Sequence, residues 1–229
     1  MGVNAQTTVP KFTAGQVLTA AQQTGINTGI PVFATTTTRD AAFGGSNKTL
    51  AQGQFAFIEA SNVTQYYNGT SWVSVGGKLA QVVSTLKSDT FTMASATYTD
   101  VTGLSVAITP TASTSKVLVT YWLTSAADNA STMGYSRLVR DSTAIAVGDA
   151  AGSRVQATTN WYQNGNYTVI SSGVTYLDSP ATTSSTTYKV QVRREAAAGT
   201  VYVNRGQNDT DSVSGPRTVS TITVMEILA

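Results

Sequence analysis

Between residues 79 and 229, apolar and polar positions alternate at period two, as half-buried strands require and helices do not. Across residues 116–124, Val117, Val119, Tyr121 and Leu123 share one face, and Leu118, Thr120, Trp122 and Thr124 share the other. Across 188–194, Tyr188, Val190 and Val192 point to a core while Lys189, Gln191 and Arg193 point to water. The same pattern predicts strands at 80–85, 97–101, 104–108, 135–140, 144–147, 154–158, 167–177, 200–204 and 220–228. The turn at 195–199 predicts a hairpin between strands 188–194 and 200–204. Eight or more short strands without a helical period predict an all-β fold, a jelly-roll-like β-sandwich over residues 78–229.

The last strand is apolar on both sides and must be covered on both. Ile222, Val224 and Leu228 share a face with Glu226, and Met225 and Ile227 lie opposite. Two readings follow. The strand is central in one sandwich, or it lies at a subunit interface built on Ile222, Val224, Glu226 and Leu228. In the second reading Glu226 pairs with an arginine such as Arg137, Arg140 or Arg193, because an unpaired buried charge is costly.

Residues 1–77 are irregular. The first ten show no hydrophobic period and read as an extended arm. Thr19-Ala20-Ala21-Gln22 fits a capping box that Gly25 would end, with Phe12 and Leu18 as flanking apolar anchors. A second helical turn is expected from Thr38, with Asp40 suited to a helix N-terminus. Residues 54–75 read as a small meander around Asn68-Gly69, a pair suited to a type I′ turn. So thin a core is expected to dock on a neighbouring subunit or a larger assembly.

Composition narrows the function. The 229 residues include no Cys and no His, which excludes disulfides, Ser-His-Asp triads and thiolate or imidazole zinc sites. Ser and Thr supply 62 residues, as strands and turns favour, while charged residues are only 11%. A net charge of +2 gives no reason to expect nucleic-acid or anionic-membrane binding. No apolar run approaches membrane-spanning length. The N-terminus lacks a basic and an apolar signal region, so synthesis in a cytosol is expected.

Several stretches resemble structural proteins of tailed-bacteriophage virions. Residues 12–21 (Phe-Thr-Ala-Gly-Gln-Val-Leu-Thr-Ala-Ala), Thr38-Arg39-Asp40-Ala41-Ala42 and Tyr67-Asn68-Gly69-Thr70-Ser71-Trp72-Val73 are similar to one module of tail-fibre-like and minor virion proteins. Residues 103–110, 115–119, 137–141 and 220–227 look like a phage C-terminal domain. The resemblance implies a homotrimeric jelly roll in the virion, bound to other tail or capsid proteins through Phe12, Val17 and Leu18. It departs from a long fibre in having no neck, heptad region or β-helix between its parts. A short spike, a knob or a capsid decoration is therefore expected, and a freestanding carbohydrate-binding module is the rival from another class.

Candidate chemistry is sparse. Nine Asp and three Glu show no diagnostic pairing, so no enzymatic activity is expected. Asn208-Asp209-Thr210-Asp211 lacks the spacing of an EF-hand and reads as a polar loop. No metal or cofactor is expected. Six Asn-x-Ser/Thr triplets read as turn chemistry. Residues 160–167 concentrate Trp161, Tyr162, Asn164 and Tyr167, rings that can stack on sugars beside amides that can bond hydroxyls. They are the candidate contact for a host-surface glycan. The alternative is that Trp161 or Tyr167 plugs the end of the sandwich.

Overall fold

The computed structural model describes residues 15, 17, 19, 29–44, 50–128, 132–162, 166–195 and 199–229. Two compact units divide the chain, Met1–Gly77 and Lys78–Ala229.

In the first unit, strands β1 (Val32–Phe33), β2 (Phe55–Ile58), β3 (Val63–Tyr67) and β4 (Trp72–Ser74) form a sheet in that order. The β1–β2 pair is parallel and the others antiparallel. Helix α1 (Thr36–Phe43) starts earlier than the expected Thr38. Thr35 is the N-cap, and Thr38 is its reciprocal capping-box partner three residues in. Phe33, Ala42, Phe43, Ala56 and Ile58 form the core, with Leu50 and Trp72 against it. Ala56 and Ile58 turn inward, and Phe55 faces out beside Tyr66. The expected type I′ turn is not formed. Gly69 has φ +98° but Asn68 does not share the left-handed region. The Asn68 Oδ1 instead accepts from Thr70 N and Ser71 N. The capping box at Thr19 lies outside the described residues.

The second unit contains β5 (Leu79–Lys87), β6 (Phe91–Met93), β7 (Thr99–Ile108), β8 (Lys116–Ala127), β9 (Met133–Arg140), β10 (Thr143–Ile145), β11 (Thr159–Tyr162), β12 (Ile170–Asp178), β13 (Thr186–Arg194), β14 (Val201–Val203) and β15 (Ser220–Ile227). β15 and β12 both pair with β8 over Val117–Trp122, so they lie on opposite flanks of it. β14 continues along the β15 flank. Three broken runs follow from this: β5 with β6, β10 with β11, and β14 with β15. Counted as eight runs, antiparallel pairs join first to eighth, second to seventh, third to sixth and fourth to fifth. The resulting sheets run 1-8-3-6 and 2-7-4-5, which is a jelly roll. The predicted β13–β14 hairpin is therefore corrected. β13 lies between β7 and β9 in one sheet, and β14 between β6 and β8 in the other. The chain crosses between layers at that point instead of folding back.

The core between the sheets holds Val117, Val119, Tyr121, Leu123, Tyr188, Val190, Val192, Ile222 and Val224, all fully buried. Two polar groups anchor it, while the buried Trp161 Nε1 has no hydrogen-bond partner. Tyr121 shares a hydrogen bond with Ser136 (2.9 Å), which shares one with Thr159 (2.6 Å). At one end Arg140 Nη1 contacts both Asp178 oxygens at 2.9 Å, and Tyr188 OH donates to Asp178 Oδ2 at 2.7 Å. Burial pushes the Tyr188 phenol up, and Asp178 adds to the shift. Among the described residues no helix is long and apolar enough to cross a membrane.

Candidate functional site

Strand β11 decides the fate of the aromatic loop. Its residues alternate, so Trp161 points inward while Asn160 and Tyr162 point out. Trp161 is buried and packs in the core opposite Gly134, where a Cβ would lie 2.1 Å from the indole. Its ring offers no face to a sugar. Tyr162 is exposed, Asn164 lies outside the described residues, and Tyr167 is exposed, its phenol lowered by the neighbouring Asn208 and Thr210. The structure thus separates the inward Trp161 from the outward Tyr162.

A cleft of about 610 Å³ opens beside β11 instead, lined by Tyr135, Arg154, Asn160, Arg193 and Glu195 among others. Tyr135 and Arg193 reach it because they face outward on the neighbouring β9 and β13, opposite each other in register. Arg193 is steadied by donating to the backbone oxygens of Arg194 and Glu195. Burial, reinforced by the Glu195 charge, raises the Tyr135 phenol, so it remains a neutral hydroxyl donor. An aromatic ring, an amide and two guanidinium groups make a surface that can bond sugar hydroxyls or a carboxylate. Only Asn160 of this set falls within the aromatic loop. The outward parity of Tyr135 on its strand was a usable sequence signal, but the approach of Arg154 was not.

The first unit carries a second concavity, about 720 Å³, lined by Arg39, Asp40, Phe43, Leu50, Tyr67 and Trp72 among others. Arg39 is committed there. Its guanidinium bonds Asp40 (2.7 and 2.9 Å) and Gln65, and its Cζ lies 4.6 Å from the Trp72 ring centroid. The side chain stiffens the module and presents no free cation. Of the expected attachment residues, Val17 is 89% exposed, while Phe12 and Leu18 lie outside the described residues.

The expected seam residues are enclosed by their own chain. Ile222, Val224 and Glu226 are fully buried, and Leu228 is half-buried with its N–H bonded to Lys78 O. β15 is a central strand between β5 and β8, so both its flanks are paired. Glu226 has none of the arginines expected for it. Those three belong to the other sheet, where Arg137 bonds Gln191, Arg140 bonds Asp178, and Arg193 bonds backbone. Glu226 accepts instead from Gln81 Nε2 (2.6 Å) and from the N–H and hydroxyl of Thr111 (both 2.7 Å). Burial opposes ionisation, but donors from Gln81 and Thr111 prevail and hold the carboxyl at about 2. In the Asn208–Asp211 loop, Asp209 bonds Arg217 at 2.5 Å. Among the described residues no acidic cluster could hold a metal ion.

No protein-family model matches the chain, and no curated protein sequence matches it. Among solved structures, the chain is similar to that of infectious bursal disease virus, Gx strain, at 12% identity and TM-score 0.35, over 71% of this chain and 41% of that one. It is also similar to a mutant VP2 protein of the same virus in derived T=1 particles, at 12% identity and TM-score 0.36, over 84% of this chain and 51% of that one. The chain spans about half the length of these structures or less.

Proposed function

We propose that this protein is a non-enzymatic structural component of a tailed-bacteriophage virion. In this reading it is a homotrimer whose first 77 residues bind other virion proteins and whose jelly roll is displayed. The observation that carries the reading is that the stretches resembling virion proteins, Thr38–Ala42 and Tyr67–Val73, form α1 and the β3–β4 region of a module packed separately from a complete jelly roll. A jelly roll hosts many functions, so the module carries more of the argument than the fold does. Only residues 75–78 separate β4 from β5, which favours a short spike or knob on tail or capsid over a long fibre.

The displayed domain meets a host-surface glycan at the Tyr135–Asn160 cleft. Antibody labelling of purified particles, viewed by electron microscopy, is expected to mark one virion structure. Particles that lack the protein refute the reading. On a glycan array, Asn160→Ala is expected to weaken binding at least about tenfold, or roughly 1.4 kcal/mol. Unchanged binding removes the cleft from the proposal.

A further inference from the structure

The outer face of the sheet containing β8 is built unlike the rest of the surface. Register places Val82, Met225, Leu118 and Leu177 in one row across β5, β15, β8 and β12. The next row is Ser84, Thr223, Thr120 and Thr175. The third is Leu86, Thr221, Trp122 and Gly173. None of these twelve positions is charged. Val82, Leu86, Trp122 and Leu177 are each more than half exposed. Gly173 lies directly under the Trp122 ring, where a Cβ would come within 3.1 Å of it. The outer face of the other sheet is instead laced by Asp100, Arg137, Lys189 and Gln191.

We infer that a second copy of this chain covers the β5–β15–β8–β12 face, with Trp122 and Leu86 at the contact. Three observations select that occupant. The hydroxyl row is already hydrogen-bonded within the sheet, Ser84 with Thr223 at 2.8 Å and Thr120 with Thr175 at 3.1 Å, so each of its hydroxyls keeps a partner when the face is covered. A face without charge offers nothing to a charged partner, yet meets its own copy without like-charge repulsion. Four strands of about eight residues cover roughly 19 by 27 Å, on the order of 500 Å² per copy at ordinary strand spacing. Two copies then approach the ~1,000 Å² at which specific interfaces begin. The inference rests on the self-association proposed above and moves its contact from the inward to the outward side of β15.

Sedimentation of the full chain tests it. Wild type is expected at a multiple of 23.9 kDa, and Trp122→Lys and Leu86→Glu, which alter only exposed positions, at 23.9 kDa with an unchanged circular dichroism spectrum. Ala107→Lys, on the outer face of the other sheet, keeps the wild-type mass. A multimeric wild type whose Trp122→Lys and Leu86→Glu variants keep their mass overturns this surface while leaving self-association intact. A wild type at 23.9 kDa at tens of micromolar overturns both.

Discussion

At the residue scale, Glu226 is the clearest case of a charge that neutral dipoles hold. Its carboxyl titrates at about 2 against an ordinary 4.5, so it favours the folded state at any pH above the ordinary value. That contribution, on the order of 3 kcal/mol, is lost as pH falls from near 5 through 2. Urea unfolding of wild type is expected to show this loss, and Glu226→Gln to flatten the dependence between pH 5 and 2. An equally steep profile in the variant would assign the effect elsewhere. Gly134 is a second test. An added methyl collides with the Trp161 indole, so Gly134→Ala is expected to cost about 2 kcal/mol by overpacking. Trp161→Ala removes a buried ring at about 4 kcal/mol, and the double variant should cost less than the sum. Additive costs would mean that the two side chains do not meet.

At the element scale, the fold depends on how its broken runs are joined. Asn204 sits where β14 gives way to β15 and β5 to β6. Its N–H donates to Thr124 O. Its Nδ2 donates to Lys87 O (2.9 Å) and Asp89 O (2.8 Å), and its Oδ1 accepts from Ser220 Oγ (2.6 Å). The residue is fully buried at φ +62°, a conformation that Asn tolerates better than most. Asn204→Ala loses the side-chain bonds and keeps the strain, for about 3 kcal/mol. Asn204→Gly relieves the strain alone, so in thermal unfolding it should fall between wild type and Asn204→Ala. If Asn204→Ala matches wild type, the side-chain bonds contribute nothing. β7 shows a related device, since its register against β13 shifts across a bulge that contains Gly103 at φ +80°. Two strands expected at 97–101 and 104–108 are therefore one.

At the scale of the whole molecule, the inner and outer faces of the β8 sheet divide the work. The inner face closes the core, while the outer face has the composition of a surface meant to be covered. If copies associate through it, melting must depend on concentration, because association adds stability by mass action. Scanning calorimetry from 1 to 100 µM is expected to show a melting temperature that rises with concentration for wild type and not for Trp122→Lys. A constant wild-type value would count against reversible association. The Tyr135–Asn160 cleft is a molecular-scale feature too. Arg154, Tyr135 and Arg193 are far apart in sequence, and the aromatic loop supplies only Asn160 to it.

The local pattern of residues determined most strands, the inward sides of β8 and β13, and the all-β class. Alternation is a property of adjacent positions, and burial acts on it directly. The inward side of β15, Ile222 and Val224, was readable in the same way. Tertiary structure alone decided which strands pair. It sent β13 and β14 to different layers, turned Trp161 into the core, and gave Glu226 neutral partners in place of arginines. Those outcomes depend on closure between segments a hundred residues apart, and a period of two carries no information about which distant strand will satisfy a given backbone edge.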